Sequence, residues 1–131
     1  MDTYNIEPYK DGQNIVYKSK NDMGQIISMT FECEEYSSLI YWNVVLWIGK
    51  NYKGYEYKNQ TGRDGLKSLL WAKRCLIDFM DKLIECGKTQ HILIGWDTTS
   101  RKKAYYRGLY DLGFRFARIE RGIWLHKTII K

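Results

Sequence analysis

Two glycines and an arginine lie close together in one stretch of the chain, Asn59–Leu66, directly before a long apolar pattern. Gly62 and Gly65 would let a ligand approach the backbone closely, and the helix predicted after them begins with amide groups that lack intrahelical partners. A helix N-terminus also carries positive potential, which Arg63 would increase. The stretch therefore predicts a site for a phosphate or another anion. The alternative is a plain turn in which Asp64 caps the helix.

Positive charge is concentrated in the second half of the chain. Of its 131 residues, residues 1–60 hold six positive and eight negative side chains, whereas residues 61–131 hold 15 positive and seven negative ones. Such an excess favours an anionic partner, either a phosphorylated small molecule or a nucleic acid. The aromatic content of 15% excludes an intrinsically disordered chain, and the length predicts a single domain, 1–131.

Signals for membrane insertion, secretion and metal binding are not found in the sequence. No apolar run reaches the roughly 20 residues that a bilayer-spanning helix needs, and the polar N-terminal stretch is unlike a secretory signal. Cys33, Cys75 and Cys86 are widely spaced and match no zinc pattern. These features predict a reduced, cytoplasmic protein with no metal and no membrane partner, and they are compatible with a homodimer.

Hydrophobic periodicity predicts the elements that would position the glycine stretch. The predicted strands are 14–18, 25–35, 39–48, 91–96, 114–119 and 123–130, and the predicted helices are 66–86 and 98–112. Residues 1–11 suggest an arm or a turn, and Tyr55–Tyr57 suggest a short extra strand. A helix between two strands implies a crossover. The predicted fold class is α/β (α+β), with a mixed, mostly antiparallel sheet, a central parallel pair and two main helices.

Two motifs in this order resemble those of the GNAT superfamily of N-acetyltransferases. Gln60 and Gly65 match the ends of its pyrophosphate loop, in which Arg63 stands where the family has a glycine, and Leu112-Gly113-Phe114 matches its second signature. The resemblance implies a single GNAT-like domain that binds acetyl-CoA. The residues implied to bind it are Gln60, Gly62, Arg63, Asp64, Gly65, Leu66 and Lys102.

The resemblance also implies a catalytic tyrosine that protonates the CoA thiolate, four residues before the last glycine. Leu109 occupies that position here, so Tyr106 and Tyr110 become the candidates, with aromatic packing as the alternative role. An attacking amine must lose a proton, and a carboxylate can take it. Glu56 lies just before the glycine stretch, and Asp97 follows a predicted strand, where ligands bind in α/β sheets. Both are therefore candidate bases, beside Glu32 and Glu34 on an acidic strand.

Three functions remain open on the sequence alone. The first is transfer of acetyl from acetyl-CoA to an amine on an unidentified protein or small molecule. The second is a binding protein of the same fold with little or no catalysis, as the shifted glycine and displaced tyrosine suggest. The third is a nucleic-acid-binding module, because the stretch 101–107 interleaves basic residues with tyrosines.

Overall fold

The computed structural model describes residues 7–20, 24, 26–36, 39–48, 62–95, 99–119 and 122–129 of the chain. These residues form a mixed α+β arrangement of seven strands and two main helices. In chain order the elements are β1 (Pro8–Asp11), β2 (Asn14–Lys20), β3 (Ile26–Tyr36), β4 (Leu39–Ile48), α1 (Gly62–Cys86), β5 (Gln90–Ile94), α2 (Thr99–Leu109), a 3₁₀ turn (Tyr110–Leu112), β6 (Arg115–Ile119) and β7 (Gly122–Ile129).

The seven strands form one sheet with the order β1-β2-β3-β4-β5-β7-β6. Neighbouring strands run antiparallel except β4 and β5, which are parallel and have α1 between them in the chain. Parallel neighbours need such a crossover, because a tight turn returns the chain in the opposite direction. The predicted sheet, mostly antiparallel with a central parallel pair, is therefore confirmed.

The first strand corrects the sequence prediction for residues 1–11. An arm or a turn is expected there, but Pro8–Asp11 form β1 and pair with β2. Proline is compatible with the first residue of an edge strand, since its missing N–H breaks no ladder bond there. Gly12, with φ of 65°, opens the two-residue turn between the strands. A glycine at that position is a hairpin signal. The composition of β1 gave no matching strand signal beside it.

The hydrophobic core lies on one face of the sheet, and both helices pack on that face. Met29 and Phe31 in β3 pair with Leu46 and Val44 in β4, and Val44 pairs in turn with Ile94 in β5. The buried apolar side chains that the helices add are Trp71, Ala72, Cys75, Leu76, Phe79, Met80, Leu83, Tyr105 and Leu109. Most of them recur at spacings of three and four, so the apolar stripe predicted for the first helix is confirmed.

The first helix ends as predicted before Gly87 but begins earlier than predicted, whereas the second ends at Leu109 and is followed by a 3₁₀ turn before Gly113. Gly87 and Gly113 take the left-handed conformation with φ of 73° and 94°, which glycine adopts without steric cost. The sequence predicts a start at Leu66, because glycine is a weak helix former. In the structure α1 already begins at Gly62. Residues 62–65, which are expected to belong to a loop, thus form the first turn of α1.

A hydrogen-bonded trio ties β2 to α1 at the edge of the core. The hydroxyl of buried Tyr17 donates to Asp78 Oδ2 at 2.7 Å, and Lys82 Nζ donates to the same oxygen at 2.6 Å. Burial opposes ionisation of Asp78, but the bonds from Lys82 and Tyr17 outweigh it and keep the pKa of its carboxyl below the usual value. Burial and the Asp78 carboxylate together raise the pKa of Tyr17. Asp78 is therefore ionised, and Tyr17 neutral, at neutral pH.

Asp78→Ala is expected to lower the free energy of unfolding by about 1–2 kcal/mol at pH 7, because it leaves the buried Tyr17 hydroxyl without its acceptor. Since the pKa of Asp78 is lower in the folded state, its contribution is present above about pH 4 and is lost as the pH falls below that. Urea titrations at pH 7 and pH 3 check both points. Lys82→Ala is the control, because an exposed ion pair adds only about 0.5 kcal/mol. Equal losses for the two variants at pH 7 would contradict this account.

Candidate functional site

The parallel ladder of the sheet stops before β4 ends, and we call the place beyond the last ladder pair the opening. The ladder between β4 and β5 ends at Val44 and Ile94, but β4 continues to Ile48 along β3. In a strand, alternate backbone groups are directed to opposite neighbours. Alternate amides of residues 45–48 are therefore directed to the side on which β5 has already ended. The carboxyl ends of parallel strands are a common place for ligands to bind.

A cavity of about 110 Å³ lies at this opening, between the sheet and the two helices. Leu46 and Ile94 contribute to it from the ends of β4 and β5. Its other lining residues are Met29, Val44, Leu69, Leu70, Ala72, Lys73, Leu76, Ala104, Tyr105, Gly108 and Leu109. The lining is largely apolar, so the cavity suits a small apolar group, with Lys73 and Tyr105 as its polar side chains.

The first turn of α1 lies close to this cavity. Gly62 and Gly65 belong to that turn, together with Arg63, Asp64 and Leu66, and its leading amides have no intrahelical acceptor. Leu69, in the next turn, lines the cavity, and a turn advances the helix by roughly 5 Å. The backbone predicted to bind phosphate is thus within one or two helical turns of the cavity wall. Gln60 lies outside the described residues.

The predicted catalytic tyrosines do not lie in the described lining of the cavity. Tyr106 and Tyr110 contact each other with ring centroids 5.4 Å apart, and Tyr106 stacks at 4.6 Å on Phe116 of β6. Tyr105 and Leu109 occupy the cavity wall instead. Leu109 is the residue at the position of the family's tyrosine, and Tyr105 lies one turn before it on the same face of α2. Tyr105 is therefore the tyrosine of α2 that lines the cavity, and it is not one of the two predicted catalytic tyrosines.

Lys102 belongs to the same aromatic surface as Tyr106. Its Nζ lies 5.2 Å from the centre of the Phe116 ring, and the Arg115 guanidinium lies 3.4 Å from the centre of the Tyr110 ring. Both distances allow cation–π attraction. Lys102 and Tyr106 of the predicted basic stretch thus lie beside Phe116 of β6. Lys102 as a cofactor-binding residue stays a prediction.

The candidate bases are not brought to the described part of the cavity. Glu56 and Asp97 lie outside the residues that the structure describes. Glu32 and Glu34 are exposed and alternate with Phe31 and Cys33, so they lie on the face of the sheet opposite the cavity. The sequence prediction of a carboxylate base therefore remains a prediction for Glu56 and Asp97.

Lys73 is a charged residue of the cavity that the sequence analysis did not single out. Its Nζ lies 2.9 Å and 3.0 Å from the two carboxylate oxygens of Asp111, which follows α2 in the 3₁₀ turn. This ion pair connects α1 to the end of α2 at the rim of the cavity. In the sequence Lys73 stands beside a second basic residue, Arg74, and nothing nearby indicates its partner, which is 38 residues away.

The described residues hold neither a metal-binding cluster of the usual ligands nor a membrane-spanning helix. Those residues contain no group of three or more His, Cys, Asp or Glu side chains able to hold a metal ion. None of the described helices is both long and apolar enough to cross a bilayer.

Cys75 and Cys33 are free thiols, and burial raises the pKa of each. Both thiols therefore stay protonated and weakly nucleophilic at neutral pH.

Comparison of the chain with protein-family models, with curated proteins and with solved structures finds no match. The resemblance to the GNAT superfamily therefore remains a hypothesis that depends on the motifs at Gln60–Gly65 and Leu112–Phe114. The opening between β4 and β5, the apolar cavity beside it and the first turn of α1 are the features from which a function can be inferred.

Proposed function

We propose that this chain is an N-acyltransferase that takes acetyl from acetyl-CoA and transfers it directly to an amine. The observation that carries the proposal is the end of the β4–β5 ladder at Val44 and Ile94, two residues that also line an apolar cavity. A thioester has an apolar acyl group beside a carbonyl that must be polarised, and this place offers both an apolar wall and nearby backbone amides. The resemblance of the two sequence motifs to the GNAT superfamily supports the same activity.

The residues present fit the parts of acetyl-CoA. The cavity of about 110 Å³ is large enough for a short acyl group. The amides of the first turn of α1 would bind the pyrophosphate, because such amides and the helix dipole both favour an anion. Alternate amides of residues 45–48 would donate to the thioester carbonyl. Glu56 or Asp97 would accept the proton of the attacking amine, and the net positive charge of residues 61–131 would attract the highly charged cofactor.

The role of proton donor to the departing thiolate is proposed for Tyr105. A tyrosine hydroxyl carries a proton that it can donate to a departing thiolate. Tyr105 lines the cavity and is only 8% exposed, whereas Tyr106 and Tyr110 pack beside Phe116. The amine acceptor remains open, and a protein lysine, a protein N-terminus and a small amine are all compatible with the chemistry.

Ala104→Phe is expected to weaken acetyl-CoA binding at least tenfold, because the added ring would fill part of the cavity that Ala104 lines. Isothermal titration calorimetry with acetyl-CoA measures the effect. The matched control is Ala117→Phe on β6, which adds the same ring away from the described lining of the cavity and should leave the affinity within about threefold. Absence of binding to the unmodified protein at millimolar acetyl-CoA would overturn the proposed function.

A nucleic-acid-binding surface is the second candidate function. It is favoured by the exposed rings of Tyr110 and Phe116, which lie beside Lys102 and Arg115. Exposed aromatic rings flanked by cations are typical of sites on which single-stranded bases stack. Failure to bind acetyl-CoA, together with binding to single-stranded DNA that weakens steeply with salt, would favour this function.

A further inference from the structure

The two histidines of the chain meet on the face of the sheet opposite the helices. His91 in β5 alternates with the buried core residue Ile92, and His126 in β7 alternates with buried Leu125. Both imidazoles are thereby directed away from the core. The register pairs His91 with Thr128, two residues beyond His126 on the same face. Because the chain contains only two histidines, this meeting brings all of its imidazole groups together.

Three potential ligand atoms of this cluster form a compact triangle. His91 Nδ1 lies 3.1 Å from His126 Nε2, and Thr128 Oγ1 lies 3.2 Å from the first nitrogen and 3.5 Å from the second. Ligand atoms bound to one Zn²⁺ ion at about 2.0–2.1 Å in tetrahedral geometry are separated by roughly 3.3–3.4 Å. We propose that His91, His126 and Thr128 form a binding site for a divalent transition-metal ion such as Zn²⁺, with water completing the coordination.

The surroundings of the triangle are compatible with a bound cation. His91, His126 and Thr128 are each partly exposed, so an ion can reach them from solvent. The ring of Tyr41 stacks on His91 with centroids 5.0 Å apart, which restricts the imidazole orientation. Arg115 of β6 is positively charged and lies opposite His126 in the register of β6 and β7. Its guanidinium donates to the Tyr110 and Phe114 carbonyl oxygens instead.

The distance between His91 Nδ1 and His126 Nε2 also suits a hydrogen bond between two neutral imidazoles. A titration with metal ions distinguishes a metal site from such a hydrogen bond. Each neutral imidazole has one nitrogen with a free lone pair, and imidazole is a preferred ligand of Zn²⁺ and Cu²⁺. With the Nε2–H tautomer of His91 and the Nδ1–H tautomer of His126, both lone pairs belong to the nitrogens of the triangle. A small rotation of the two rings then turns these lone pairs toward one ion.

The test is calorimetric titration with Zn²⁺ at pH 7.5, on untagged protein in which Cys33 and Cys86 are replaced by serine to remove competing thiols. One ion is expected to bind each chain. His91→Gln and His126→Gln should each weaken binding at least tenfold, and Thr128→Val should weaken it less, since a hydroxyl is the weaker ligand. Circular dichroism before each titration checks that the variants are folded.

A second measurement needs no substitution of the histidines. The electron paramagnetic resonance spectrum of one equivalent of bound Cu²⁺ should show coupling to two imidazole nitrogens, which in this chain can come only from the His91–His126 pair. Unchanged Zn²⁺ affinity in both histidine variants, a stoichiometry of one ion to two chains, or no binding up to about 1 mM Zn²⁺ would each overturn the proposal. The pair would then be a hydrogen bond between strands.

Discussion

Phe31→Ala is expected to lower the free energy of unfolding by about 3–5 kcal/mol, the usual cost of removing a buried phenylalanine ring. Phe31 is 0% exposed and lies in β3, which has strands paired on both of its sides. Its ring stacks at 3.9 Å on Phe79 of α1 and makes an edge contact at 5.5 Å with Tyr17 of β2. The substitution would therefore leave a cavity at the point where three elements meet.

Such a loss is large compared with the 5–15 kcal/mol that stabilises a typical domain. Urea denaturation followed by tryptophan fluorescence measures this loss of unfolding free energy. An unchanged dependence of that free energy on urea concentration would show that the variant and the unmodified protein expose similar surface on unfolding. Phe116→Ala is the matched control, because Phe116 is 41% exposed although its ring also stacks on an aromatic neighbour. Its expected cost is about 1 kcal/mol. Equal costs at the two positions would contradict the core described above.

The elements that build this core could be predicted because each has a strong pattern of its own. In β3, Ile27, Met29 and Phe31 alternate with polar residues, and alternation determines which side chains face the core. The apolar residues of α1 recur every three or four positions, so the buried face of the helix was also predictable. β1 has no such pattern, since three of its four residues are exposed. It is held by its pairing with β2 and by the turn at Gly12, so it was missed.

The positions of the functional side chains were harder to predict, because they depend on contacts between distant elements. Neighbouring residues of a helix differ by about 100° in direction, so Tyr105 and Tyr106 face different surroundings. Which of them faces the cavity depends on how α2 packs against α1 and the sheet. The pairing of His91 with His126 depends likewise on the register of β5 and β7, which are separated by α2 and β6. Composition and spacing carry no information about either contact.

Tyr105→Phe is expected to lower kcat for acetyl transfer about 100-fold or more, because the variant keeps the buried ring but removes the proposed proton donor. The affinity for acetyl-CoA should change by less than about threefold, since a group needed only in the transition state contributes little to ground-state binding. Release of free CoA thiol, followed with a thiol reagent and a panel of primary amines as acceptors, measures kcat. Calorimetry measures the affinity of the same variant.

Tyr106→Phe and Tyr110→Phe are the matched controls, because each removes one hydroxyl from the same helix or from the 3₁₀ turn that follows it. Both rings pack beside Phe116 rather than in the described lining of the cavity, so we expect both variants to keep kcat within about threefold of the unmodified protein. A large loss of kcat in either control, with full activity in Tyr105→Phe, would assign the proton donor to the aromatic cluster beside Phe116. That result would also mean that the thioester does not bind at the apolar cavity, because a donor to the thiolate must lie within hydrogen-bonding distance of the sulfur.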